Sequence, residues 1–388
     1  MKPVNKSILT ILFKTVLLLA TSCSAFAQVN VAVNDANIEY VGRWDKSDSS
    51  IYHSYWGGAY LRLRFTGTSV AIREATPVDF WMDIDGTGYK FFKGTVGSVK
   101  VAWSLANAVH VITVVAAGEG NELQFQGLTL SLGATLLAPA TPNKPLIEFI
   151  GDSITCGAKT PNEEIQDYAW LAGEQLNCNH TQISYSGITL VDGYHYTYSG
   201  APQRGQIYQY FIMQEPNSPM SNVHWNFANY TPQVVVINLG TNDGGLGVPS
   251  GIFQTNYATF LQKIRAKFPK ATILALRPFR GYYATEIHNA VNEANSAGDQ
   301  DVRYIDTTGW ISCSPCGANC DTYDSWHPTV AGHQKIAALL APILSAYVSH
   351  ESSPVKGNIL IFCMSTLGLN TVKPTHSQTM SLSPAAAN

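Results

Sequence analysis

Residues 145–157 read Pro145-Leu-Ile-Glu-Phe-Ile-Gly-Asp-Ser-Ile-Thr-Cys-Gly157, and the order of residue types there decides how the rest of the chain is read. The apolar run from Leu146 stops at Gly151-Asp152-Ser153, so a buried strand is expected to deliver Ser153 to its own C-terminal tip. Ligands and reacting groups of open α/β sheets collect at that edge. A serine hydroxyl attacks well only when a neighbouring base removes its proton. A histidine and an acid stand ready in Asp324-Ser325-Trp326-His327-Pro328, near the end of the patterned part of the chain.

Outward from this stretch, strand and helix patterns alternate. Val234 to Leu239 is another apolar strand, and Phe253, Tyr257, Phe260, Leu261, Ile264 and Phe268 define one helical face. Residues 271–276 and 302–305 read as strands, with a helix at about 284–297 and a last helix from about Thr329 to Val348. This layout predicts a parallel sheet flanked by helices over residues 146–349. Residues 28–138 read differently. Leu61, Leu63 and Phe65 alternate with Arg62 and Arg64, Val70 and Ile72 follow, and Asp85-Gly86 marks a turn after Phe80–Ile84. Many short strands without helical periodicity predict a small all-β sandwich. Pro139 to Pro145 is a stiff, proline-rich linker between the two. Residues 194–230 form a long insertion rich in aromatic rings, most of which should pack over the sheet while one or two, Trp225 included, face substrate. Residues 350–388 are Ser-, Thr- and Pro-rich, and their one apolar run is too short to span a bilayer.

Composition narrows the function. Charged residues are 13% of the chain and aromatics 11%, with 8 Trp and 19 Tyr, which suits a folded, sugar-contacting protein. A formal net charge of −3 gives no electrostatic reason to expect nucleic acid or an anionic membrane as partner. Lys2, Lys6 and Lys14, then Val16 to Ala20, then Ala25-Phe26-Ala27 have the form of a secretory signal peptide over residues 1–27, cleaved after Ala27. In an oxidising compartment the crowded Cys313, Cys316 and Cys320 should form a disulfide; a zinc site there would need a fourth ligand that no adjacent Cys/His pair supplies. Cys156 reads as a buried thiol or half-cystine beneath the serine. Asn179-His-Thr181 and Asn229-Tyr-Thr231 are sequons, used only if a eukaryote secretes the chain.

Four blocks together resemble the SGNH (GDSL-type) hydrolases: Gly151-Asp152-Ser153-Ile154, the Gly187 segment Ile183-Ser-Tyr-Ser-Gly187, Gly240-Thr241-Asn242-Asp243, and Asp324-x-x-His327-Pro328. Thr155 replaces the second glycine of the α/β-hydrolase elbow, which argues against an ordinary lipase fold. A closer resemblance, over about residues 36–348, is to carbohydrate esterase family 2. It rests on Gly151–Gly157, on Ile183–Gly187, on Trp225–Asp243 and on Trp326-His327-Pro328. That resemblance implies a flavodoxin-like three-layer α/β/α domain preceded by a jelly-roll sandwich, and removal of acetyl groups from polysaccharide. A monomer needing no cofactor or metal is expected.

Within this reading Ser153 is the nucleophile and His327 the base, then the acid for the leaving alcohol. Asp324, three residues earlier, can meet the imidazole Nδ1 from a turn; Asp321 is the substitute acid, and a turn-capping role for Asp324 is the alternative. His333 lies within the last helix and should pack or cap. The oxyanion hole would combine the Ser153 and Gly187 backbone N–H groups with the Asn242 amide. Asp152 and Asp243 flank the functional positions and would support them by hydrogen bonds, and Trp326 would wall the acyl pocket or stack on a sugar. Two rival functions remain open: an SGNH lipase or thioesterase acting on lipidic esters, and a non-catalytic carbohydrate-binding protein.

Overall fold

The structure is a computed structural model that describes residues 28–348, apart from 217, 219–221, 313 and 315–319. Residues 1–27 and the tail from 349 lie outside it, as do Cys313 and Cys316 of the expected disulfide.

The first part is antiparallel: β1 (Val29–Val31), β2 (Glu39–Asp48), β3 (Ile51–Gly67), β4 (Val70–Ile84), β5 (Lys90–Ala102), β6 (Ala108–Ala116), β7 (Gln124–Leu130) and β8 (Leu136–Leu137). The strand path is β1-β7-β3-β6-β4-β5, with β2 and β8 also on β3 and a further β7–β4 pairing. Strands β3, β6, β4 and β7 thereby close a ring, so the expected all-β domain is a single barrel-like sheet, consistent with a jelly-roll form. Long strands that change partner produce the closure. Strand β3 pairs with β7 at Tyr52–His53 and with β6 at Tyr60–Gly67, while β4 leaves β7 at Glu74 and joins β6 at Phe80. The register of β4 against β5 breaks between Glu74 and Val78, a bulge that bends the strand round the corner. Leu61, Leu63, Phe65, Phe80, Met82, Ile112, Val114 and Phe125 fill the interior.

The second part is a parallel sheet of β9 (Leu146–Gly151), β10 (Asn179–Ser184), β11 (Val234–Asn238), β12 (Thr272–Leu276) and β13 (Val302–Ile305), ordered β10-β9-β11-β12-β13. This is the 2-1-3-4-5 order of the flavodoxin-like folds, in which the switch point lies beside the first strand, here β9. Its helices are α1 (Tyr168–Gln175), α2 (Gln206–Gln209), α3 (Thr241–Gly245), α4 (Ser250–Lys267), α5 (Ala284–Ser296) and α6 (Val330–Ser345). Alternating side chains of the strands serve opposite faces. Ile150, Val235, Ile237 and Ile273 pack with Phe253, Phe260 and Ile264 of α4 and with Ile287 of α5. Phe149, Val234, Val236 and Leu274 pack with Ala169 of α1 and with Ile336 and Leu340 of α6. Burial on both faces explains why β9, β11 and β12 are near-continuous apolar runs.

The two parts share a packed seam. Tyr60 and Val115 of the barrel meet Ile165 and Trp170. Arg43, fully buried, donates from Nη1 to Ile212 O at 2.6 Å and lies over the rings of Tyr210, Trp225 and Trp56. Glu148, in the middle of β9, accepts from the hydroxyls of Tyr210 and Tyr230. The aromatic insertion is therefore anchored to the sheet by a buried carboxylate and to the barrel by a buried guanidinium.

Candidate active site

Ser153 sits on a tight turn immediately beyond β9. Ala158 N donates to Ser153 O at 3.0 Å and Cys156 N to Asp152 O at 3.2 Å. The turn folds back on its own strand so closely that a Cβ on Gly151 would lie 2.0 Å from Thr155 Oγ1. Asp152 Oδ1 accepts from Ile154 N at 3.0 Å, and burial, with Asp243 nearby, pushes the Asp152 carboxyl up to about 7. The serine itself is 8% exposed, open only on the side facing His327 and a cavity.

His327 reaches Ser153 from the loop that enters α6. Its Nε2 is 3.0 Å from Ser153 Oγ, and its Nδ1 is 2.9 Å from Asp324 Oδ2. With Nδ1–H donating to the carboxylate, Nε2 is left to accept the serine proton. Local hydrogen bonds build this loop. Asp324 Oδ1 accepts from the backbone N–H of Trp326 at 3.0 Å and of His327 at 2.9 Å, while Ser325 takes a left-handed φ of 68°. Lys159 Nζ also bonds to Asp324 Oδ2. Partial burial works the other way, but the bonds from Lys159 and His327 hold the Asp324 carboxyl well below the usual carboxylate range. Asp321, the alternative acid, accepts instead from Ser312 N at 2.7 Å and Lys335 Nζ at 3.0 Å. His333 is buried, stacked on Tyr168, and its Nδ1 accepts from Tyr168 N.

Two further loops complete the rim. Gly187 follows β10 with φ +77°, and a Cβ there would lie 2.1 Å from Tyr198 Oη, so both backbone and space exclude a side chain. Asn242 opens α3 beyond β11, and its Nδ2 donates to Ile188 O at 2.9 Å. An amide nitrogen carries two hydrogens, so one orients the group and the other is free for the cavity. Asp243 braces the pair of loops, accepting from Leu190 N at 2.9 Å and Val191 N at 3.0 Å.

Ser153, Gly187, Asn242, Trp326 and His327 thus line one cavity of about 400 Å³ with Lys159, Tyr196 and Tyr198. Trp326 is stacked on Tyr282 and covered by Arg280 at 4.3 Å, which fixes its plane. Trp225 is not part of this group. It is 5% exposed and held over Arg43 at the seam, since a buried guanidinium needs aromatic faces around it. One participant carries no signal in the sequence: Lys159, which reaches Asp324 from a turn with no motif of its own. Among the described residues no group of three or more His, Cys, Asp or Glu side chains is arranged to hold a metal ion.

Residues 149–335 match the GDSL-like lipase/acylhydrolase family, and residues 40–140 match the carbohydrate esterase 2 N-terminal domain. The chain thus carries a carbohydrate esterase 2 N-terminal domain followed by a GDSL-like acylhydrolase domain. The two matched segments meet beside Ser153, where Glu119 of the first touches Ser186 and Cys156 of the second. Cellulase/esterase CelE of Acetivibrio thermocellus is 32% identical over 340 residues, covering 79% of this chain and 39% of CelE. The chain therefore spans well under half the length of that relative. An acetylxylan esterase / glucomannan deacetylase of Cellvibrio japonicus is 24% identical over 320 residues, covering 74% of this chain and 84% of that protein. A solved family two carbohydrate esterase from Clostridium thermocellum, in complex with cellohexaose, superposes with a TM-score of 0.69 at 29% identity, covering 80% of this chain and 98% of that one.

Proposed function

We propose that the protein is an exported serine esterase that removes O-acetyl groups from a polysaccharide of the xylan or glucomannan kind. The unbroken Ser153–His327–Asp324 hydrogen-bonded chain, opening on a cavity, carries this reading. Ser153 Oγ attacks the acetyl carbonyl while His327 Nε2 takes its proton; the imidazolium then returns that proton to the departing sugar oxygen. Water, deprotonated by the same imidazole, cleaves the acetyl-serine and releases acetate. The Ser153 and Gly187 N–H groups and the free Asn242 N–H receive the negative charge on the carbonyl oxygen.

A second groove of about 510 Å³ shares Ala158 and Ser186 with the first cavity and is walled by Trp81 and Phe91 of the barrel. It supplies room and aromatic faces for sugar units next to the acetylated one, which favours a polymer over a lipid. The printed substrates of the Cellvibrio relative and the cellohexaose of the Clostridium structure point the same way. Export is supported by the Lys-rich, apolar, Ala25-Phe26-Ala27 pattern of the leader.

Hydrolysis of p-nitrophenyl acetate should far outrun that of the octanoate; the reverse order would make the protein a lipidic-ester hydrolase. Asn242→Ala should lower kcat about 10²–10³-fold and leave KM nearly unchanged, because the lost donor acts on the transition state. A raised KM with wild-type kcat would assign Asn242 to substrate binding instead.

A further inference from the structure

Glu119 lies in the turn after β6 of the barrel, and none of the chemistry above uses it. Its side chain crosses to the other domain. Oε1 accepts from Ser186 N, and also from Cys156 Sγ at 2.8 Å. Ser186 immediately precedes Gly187. Cys156 lies on the Ser153 turn, where its sulfur is also 3.5 Å from Ser153 O and 3.8 Å from Ser186 Oγ. One carboxylate oxygen therefore joins the two loops whose backbone N–H groups face the carbonyl oxygen in the proposed mechanism. The turn that presents it is anchored in return, since Gly118 N donates to Glu164 Oε2 at 2.8 Å.

We propose that Glu119 is a positioning residue, through which the N-terminal domain sets the spacing between the Ser153 and Gly187 oxyanion donors. The inference rests on the serine-esterase reading above. An ionised carboxylate is suited to the task because it only accepts, and its bonds to N–H and S–H donors are short and directional. Burial pushes the Cys156 thiol well up, with Glu119 adding to the effect, so the sulfur keeps its proton and remains a donor. Burial also raises the Glu119 carboxyl, against which the bonds from Cys156 and Ser186 act. Oxyanion donors act only when held at hydrogen-bond distance from the developing charge, and a displacement of about 1 Å can cost 10²-fold. The barrel would then be part of the catalytic geometry as well as a wall of the groove.

The test is steady-state kinetics of full-length Glu119→Ala, Glu119→Gln and Glu119→Asp, beside Ser153→Ala, on p-nitrophenyl acetate, too small to extend far into the second groove, and on acetylated xylan. Glu119→Ala should lower kcat about tenfold or more with KM within about twofold, a transition-state effect. Glu119→Gln keeps an accepting oxygen in place and should restore kcat to within about threefold of wild type. Glu119→Asp is one methylene shorter and should lose kcat as the alanine variant does, which keeps the test decisive if the alanine variant does not fold. Wild-type kcat per folded molecule in the alanine or aspartate variant would overturn the proposal. So would a raised KM confined to acetylated polymer, which would make Glu119 a sugar-binding residue. An inactive Ser153→Ala beside a fully active Glu119→Ala defeats the positioning role alone; an active Ser153→Ala defeats the serine mechanism beneath it.

Discussion

Ser153→Ala should give a folded protein whose acetyl-ester hydrolysis is lower by about 10³–10⁶-fold, the range seen when a triad serine is removed. The substitution deletes a single hydroxyl. That hydroxyl's side-chain partner is His327 Nε2 at 3.0 Å, and the turn is held by backbone bonds and by Asp152 rather than by the serine Oγ. Thermal unfolding should therefore be nearly unchanged while turnover disappears. Kinetics on p-nitrophenyl acetate, with a melting curve on the same sample, check both halves. Substantial activity in the folded variant would end the acyl-enzyme mechanism.

Asp324→Asn should cost about 10³–10⁴-fold in kcat, because a triad carboxylate fixes the imidazole tautomer and balances the imidazolium that forms during reaction. An asparagine amide can present N–H to His327 Nδ1, which would put the proton on Nε2 and leave nothing to accept from Ser153. The position of Lys159 sharpens this expectation. With burial acting against it, the Lys159 bond and those from His327 keep the carboxyl ionised far into acid. A carboxyl depressed in the folded state adds stability above its ordinary pKa, and that stability is lost only as pH falls through the depressed value. The orienting charge is thus present throughout the neutral and mildly acid range. A kcat near wild type for Asp324→Asn, measured across that range, would reduce the machinery to a Ser153–His327 dyad.

Much of this site was legible before any coordinates because its parts are local. Gly151-Asp152-Ser153 and Gly240-Thr241-Asn242 each end an apolar strand, and a strand that stops at Gly followed by a polar residue marks its own tip. Gly187 follows the polar strand Asn179–Ser184 and was legible only as part of its block. Asp324 and His327 are three residues apart, within reach on one turn, and the carboxylate does meet the imidazole there. The barrel was legible only as a set of β-runs. Its closure depends on β3 and β4 changing partner, and the runs at 70–72 and 80–84 belong to one bulged strand. The place of Trp225, outside the Ser153 cavity, was illegible for a related reason. An aromatic ring in a long insertion is equally suited to sugar and to core, and the choice was made by Arg43, far away in sequence.

The sequence by itself determined which residues stand at strand tips and turns, since periodicity and turn chemistry act over a few residues. Tertiary structure decided which of them meet. His327 comes within 3.0 Å of a serine 174 residues earlier because both lie beyond the C-terminal ends of strands of one parallel sheet, Ser153 after β9 and His327 on the loop between β13 and α6. Glu119 reaches Ser186 and Lys159 reaches Asp324 across loops that share no motif. Burial accounts for the first: once the domains close, the Glu119 carboxylate must find donors among whatever the fold brings near. The second is a more exposed ion pair made by two loops of one domain, and only the assembled chain specifies either partner.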